Sequence, residues 1–287
     1  MNQFASGPKK SYYGKGDVIA YRLNRDGHPP PGQSAVFGAN VKILIYGDAF
    51  WPTYTTGDNT DLVATDSMKN FIQRETINFA GDDLEAYCRF LTEKFLNKYP
   101  QAEGAQLTAS RIPYGPLTAS GVSFKPDGPD SANARIEVLR EGSGLRIGEI
   151  RSGISGFRLL RLQGSAFKGF VRDEYTTLPD IMNRPLHMWL DLEWSYIATE
   201  AAFSHGVITK QVRKIVHELF DGFESGSIQQ IIHQIGTKML AEIAAISEIR
   251  LEANNRTWDT IAEQGDTLGV YIEARPPYGC LGLTLRR

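Results

Sequence analysis

Lysine, threonine, aromatic and arginine side chains hold most of the chemical potential of this chain. Lys15 lies between Gly14 and Gly16, just ahead of an apolar run. A lysine in that setting is ordinarily a solvated turn residue. Withdrawn from water, its amine gives up a proton more readily and serves as a base or proton shuttle. Thr65 and Asp66 stand where a helical pattern begins, so one of them is expected to cap the free N–H groups of the first turn. A helix N-terminus also suits an anionic ligand. Phe167 and Phe170 offer aromatic faces beside a strand, where core packing is their usual role. Arg184, before Pro185, reads as a loop charge.

Several common catalytic devices are missing. No Gly-x-x-x-x-Gly-Lys-Ser/Thr string occurs to cradle phosphate. Gly142-Ser143-Gly144 opens like a dinucleotide fingerprint, but Ile147 occupies the place of its third glycine. The histidines His28, His187, His205, His217 and His233 show no paired metal spacing, and Asp221 replaces the second histidine of a zinc-protease motif begun by His217-Glu218. No Gly-x-Ser-x-Gly elbow is present. An enzyme of this composition is expected to work without nucleotide, flavin or metal.

The 287 residues carry 31 Lys and Arg against 33 Asp and Glu, a formal net charge of -2. Lys9-Lys10 is the densest basic stretch, so nucleic acid is not an expected partner. Apolar strings such as Ile43-Leu44-Ile45-Tyr46 are too short to span a bilayer, and Met1 to Lys10 lacks the apolar core of a secretion signal. Two cysteines, Cys88 and Cys280, make no disulfide framework; a cytoplasmic setting is expected.

Helical periodicity runs through Leu84, Tyr87, Cys88, Leu91, Phe95 and Leu96, preceded by a shorter pattern from Asp66 to Ile72. A second helical pair carries Val212 to Phe220 and Ile228 to Ile243, with Ser225 or Ser227 as cap. Strands are expected around them: Val18 to Leu23, Val41 to Tyr46, Ala105 to Ile112 and Ala134 to Arg140 in the first half. In the second half they fall at Arg158 to Gln163, Leu186 to Trp194, Ser247 to Ala253 and Gly279 to Leu285. Gly27 to Gly32 and Gly115 to Ser131 read as loops. The order strand, strand, helix, helix, strand, strand thus occurs twice. An α+β protein with antiparallel sheets is expected, divided near Gly142-Ser143-Gly144 into residues 11–143 and 144–287.

The remaining strings form an ordered set: Tyr13-Gly14-Lys15-Gly16-Asp17-Val18, Gly57-Asp58-Asn59, Ala64-Thr65-Asp66-Ser67-Met68-Lys69-Asn70, Phe167-Lys168-Gly169-Phe170-Val171-Arg172-Asp173-Glu174-Tyr175-Thr176-Thr177-Leu178, Asn183-Arg184-Pro185, Asn254-Asn255-Arg256-Thr257-Trp258 and Arg275-Pro276-Pro277-Tyr278-Gly279. Together they resemble uricase (urate oxidase), particularly its bacterial branch, from about Tyr12 to Arg286. The resemblance implies tandem tunnelling-fold (T-fold) units whose sheets close into a barrel between subunits, within a homotetramer. It implies oxidation of urate by O2 and water to 5-hydroxyisourate and hydrogen peroxide, with no cofactor.

The same resemblance assigns roles. Lys15 matches the catalytic lysine, and Thr65 works with it at the O2 or water position. Asp66 joins the binding site of a neighbouring subunit. Phe167 is the platform for the purine, and Arg184 and Gln229 are the two arms of a pincer on its edges. The guanidinium fork binds in a bidentate way, and the Gln229 amide both donates and accepts. Ile228 contributes its backbone N–H, and Asn254 holds the O2 or water ligand. Arg256 departs from the family, because most uricases place a histidine there. Arginine keeps its proton at any working pH and cannot shuttle one. Either its charge acts on Lys15, so that Lys15 and Thr65 suffice, or the relay is broken and the protein is a non-catalytic purine-binding oligomer. Retention of the other site residues favours the first. A T-fold enzyme acting on pterins is the third reading, opposed by the lack of Cys/His zinc ligands.

Overall fold

Aligned buried apolar residues on neighbouring strands set the sheet of the first unit. The computed structural model describes residues 11–25, 29–204, 206–265 and 267–287. Expectations placed on Met1 to Lys10, Gly27, His28 and His205 lie outside the described residues. Strands β1 (Tyr13–Leu23), β2 (Val36–Tyr46), β3 (Gly104–Arg111), β6 (Ser131–Glu141) and the beginning of β7 (Gly144–Arg161) lie in that order, with β4 (Tyr114–Pro116) and β5 (Phe124–Pro126) forming a separate small ribbon. The register Ile43↔Leu107 and Leu107↔Ile136 puts three apolar side chains in a row on one face. Helices α2 (Thr65–Glu75) and α3 (Leu84–Lys98), which follow the short α1 (Trp51–Thr55), cover that face with Met68, Ile72, Tyr87, Leu91 and Phe95, all fully buried. Each such side chain contributes about 1.5–3 kcal/mol by leaving water. The Asp83 carboxylate caps α3 by accepting from the Ala86 amide at 2.8 Å.

The second unit repeats the plan. The end of β7 is followed by β8 (Leu186–Tyr196), α4 (Val207–Gly222), α5 (Ile228–Glu242), β9 (Ile246–Asn255), the ribbon β10 (Asp259–Gln264) and β11 (Leu268–Ile272), and β12 (Gly279–Arg286). The strand order is β7-β8-β9-β12. Met188, Leu190, Leu192 and Trp194 face Val212, Ile215, Val216, Ile231, Ile235 and Met239 in one apolar cluster. Ser227 caps α5, its hydroxyl accepting from the Gln230 amide; Ser225 is buried and bonded elsewhere.

Gly142-Ser143-Gly144 is a tight turn from β6 into β7, with Gly142 at φ 59°. Strand β7 has 18 residues where only its end was expected, because Gly148, Gly153 and Gly156 interrupt the alternation that betrays a strand. The chain leaves the first unit within β7, at Ser152, and Ala198–Gly206 also belong to that unit. The expected loop after Gly115 contains the β4–β5 ribbon, and the β10–β11 ribbon was not anticipated, since every residue of β10 is exposed.

Candidate active site

Lys15, Thr65 and Asp66, expected as site residues, lie in the first unit. Lys15 lies in β1 opposite Ile43 and is half-buried, so it is a strand residue rather than a turn residue. Its neighbour must be glycine, because a Cβ on Gly14 would sit 1.8 Å from the Ile43 carbonyl oxygen. A bulge follows between Lys15 and Val18, where Asp17 takes φ 54° and its carboxylate accepts from Asn40 Nδ2 at 3.2 Å. Two residues before Lys15, the Tyr13 hydroxyl accepts from the Val63 amide at 2.9 Å, two residues before Thr65. That bond ties the start of β1 to the entry of α2. Burial pushes the Tyr13 phenol up to about 12.

Thr65 is the first residue of α2 and Ala64 is its cap, so neither Thr65 nor Asp66 caps the helix as expected. Asp66 instead binds Lys69 Nζ at 2.6 Å and Asn70 Nδ2 at 2.8 Å. The bond to Lys69 and its charge hold the carboxyl below the usual range, and the charge of Lys15 adds to this. Thr65 and Asp66 are both exposed.

In the second unit three loop segments form a short ladder that presents Phe167, Arg184 and the start of α5. Gly164 O accepts from the Ser225 amide and Ser225 O from the Ala166 amide, each at 2.8 Å. Phe167 and Ile181 exchange backbone bonds of 2.8 and 2.9 Å, and the Arg184 amide donates to Ser165 O at 3.0 Å. Phe167 is not core: it is half-buried and stacks on Phe170 with centroids 4.9 Å apart and planes 14° apart. Arg184 is not a surface charge. Its Nε is buried with no hydrogen-bond partner among the described residues, and loss of water lowers the pKa of its guanidinium. Ile228 buries its side chain in the core, which leaves the backbone N–H of a helix first turn as its polar group there. Gln229, beside it, is exposed.

Asn254 and Arg256 stand at the end of β9. Asn254 pairs with Trp189 on one side and Cys280 on the other; its Nδ2 donates to Cys280 Sγ at 3.4 Å, and its Oδ1 is buried without a partner among the described residues. The Arg256 amide donates to His187 O at 3.0 Å. Its guanidinium carbon lies 3.3 Å from the Tyr278 ring centre and 4.1 Å from that of Trp189, with Nε buried and without a hydrogen-bond partner among the described residues. Arg158 also lies over Trp189, at 4.8 Å. Burial lowers the His187 pKa, the nearby charges of Arg158 and Arg256 adding a smaller push. Sequence reasoning missed Trp189 and Tyr278. The signal for Trp189 was its place in β8 among His187, Asp191 and Glu193, on the polar side of the alternation. Among the described residues, no group of three or more His, Cys, Asp or Glu could hold a metal ion.

Set beside known proteins, the chain matches the uricase family model over residues 150–280. The uricase of Haloferax volcanii is 34% identical over 282 residues, covering 88% of this chain and 90% of its relative. The chain belongs to the uricase family. The uric acid degradation bifunctional proteins of Bacillus sp. TB-90 and Bacillus subtilis are 38% and 36% identical and cover 93% and 96% of this chain. The chain spans 58% and 60% of those two proteins. The crystal structure of Bacillus sp. TB-90 urate oxidase superposes with a TM-score of 0.89 at 36% identity, over 97% of this chain and all of that one. A uricase from Bacillus fastidious superposes at 0.88 with 33% identity, over 98% and 94%.

Proposed function

We propose that the protein oxidises urate with O2 and water to 5-hydroxyisourate and hydrogen peroxide, using no cofactor, as a cytoplasmic homotetramer of tandem T-fold units. The observation that carries this reading is the three-segment ladder. It sets an aromatic face, a desolvated guanidinium with an unused donor and a helix first turn at the ends of adjoining loops. A planar purine anion needs each of these: a stacking surface, a two-point cation and a group that donates and accepts.

Phe167 supports the ring, Arg184 and Gln229 grip opposite edges, and the Ile228 N–H adds a fourth contact. Asn254 holds the O2 or water ligand, and a water there donates to its Oδ1, which has no partner among the described residues. Lys15 and Thr65 move the proton that urate must lose before it passes electrons to O2. Arg256 supplies a positive charge beside the site, its guanidinium packed on the Trp189 and Tyr278 rings. Lys15, Thr65 and Asp66 of one copy complete the half-site of another. A non-catalytic purine-binding oligomer is the second reading, favoured by Arg256 alone.

The test is a hybrid assembly. Lys15→Met chains, inactive alone, and Arg184→Met chains, strongly impaired alone, are refolded together and assayed for urate consumption in air. Shared sites regain activity in the mixture, because one site per hybrid pair has both residues intact. A mixture as inactive as its components, with tetramer content verified, contradicts the shared site.

A further inference from the structure

One buried cation outside the purine contacts ties their supporting loops together. Arg161, at the end of β7, is 8% exposed. Its Nη1 donates to Phe223 O at 2.8 Å, Gly164 O at 3.3 Å and Ser225 Oγ at 3.4 Å, and its Nη2 reaches Leu219 O at 3.5 Å. Phe220 and Phe223 cover the guanidinium, with ring centres 5.0 and 5.7 Å away. Its acceptors therefore include one carbonyl of the last turn of α4, the Phe223 carbonyl just beyond that helix, and a group at each end of the Gly164–Ser225 pairing. From Gly164 the ladder passes to Phe167 within three residues and, through the bond from its amide to Asn183 Oδ1, to Arg184. From Ser225 it passes to the cap of α5 and Gln229. A cavity of about 750 Å3, lined in part by Asn183, Phe223 and Ser225, borders these segments.

We infer that Arg161 is a positioning residue for the purine half-site, fixing the Phe167, Arg184 and Gln229 segments relative to one another through the carbonyls it gathers. This rests on the proposed purine site, and the test separates the two. Amide hydrogen exchange is compared in the ligand-free protein and in Arg161→Met and Arg161→Lys. Xanthine, as a purine probe, is then titrated into each by calorimetry. The expected result is exchange at least tenfold faster at residues 164–167, 181–184 and 225–230 in Arg161→Met, with the sheet amides unchanged. Xanthine affinity of the folded protein falls at least tenfold, and Arg161→Lys, which keeps the charge but reaches fewer acceptors, lies between. Unchanged exchange in the three segments overturns the inference, as does unchanged affinity in a variant that only melts earlier. If the unmodified protein takes up no xanthine, the purine site fails and the exchange result alone decides Arg161.

Discussion

Replacing Arg184 by lysine separates charge from geometry at the purine edge. The Arg184 Nε is buried and unbonded in the free protein, so a ligand acceptor arriving there meets a donor already stripped of water. A hydrogen bond to a charged group contributes about 1.5–3 kcal/mol net. A guanidinium fork offers two in parallel, whereas an ammonium keeps one, so the lysine variant loses about one such bond. That loss weakens binding on the order of 10- to 150-fold. Arg184→Met removes the charge as well and weakens it further. Calorimetric titration with a purine analogue that is not turned over, with melting temperature and oligomer size measured alongside, reads both effects. Affinity of Arg184→Lys within twofold of the unmodified protein would refute the two-point grip.

Other perturbations address different parts of the molecule. Gly14→Ala forces a Cβ onto the Ile43 carbonyl, and overpacking of this kind costs about 1–3 kcal/mol. Gly16→Ala, whose Cβ would meet Lys42 Cγ at 3.8 Å, is tolerated; similar melting temperatures for the two would show that β1 and β2 are not held at that approach. Burial, with the charge of Asp83 adding to it, raises the Glu85 carboxyl from 4.5 to about 7, so the folded state keeps a proton that the unfolded chain releases. Stability therefore falls as pH rises through this range and levels off above it. Glu85→Gln flattens that slope in melts taken from pH 5 to 8, and an unaltered slope assigns it to another group. Tyr278→Leu, but not Tyr278→Phe, removes a ring from Arg256 and lowers turnover by about 2- to 30-fold, the worth of a cation–π contact of about 0.5–2 kcal/mol. Equal rates in the two variants would exclude the ring as the relevant feature.

The legible part of the sequence was the part governed by periodicity. Leu186 to Trp194 alternates without interruption, and the α3 and α5 stripes keep helical spacing, so strands and helices fell in their places. Strand β7 was hidden because glycines leave no side chain to alternate, and the β10–β11 ribbon because no burial selects its apolar residues. The site was legible as a set of strings and not as geometry. Nothing local to Arg184 announces that its Nε is buried, since the burial comes from segments brought together by ladder bonds. Arg161 was invisible for the same reason: its acceptors are backbone carbonyls, which any sequence supplies. Thr65 missed its capping role by one position, a difference that backbone dihedrals decide at the helix entry.

The central claim is turnover of urate despite Arg256. Purified protein is mixed with urate in air, and urate absorbance, O2 uptake and peroxide are followed together. The account gives equimolar loss of urate and O2 with equimolar appearance of peroxide, abolished in Lys15→Met and strongly reduced in Arg184→Met. Urate that binds yet persists, with no O2 consumed by a correctly assembled oligomer, would contradict it and leave a purine-binding protein in its place.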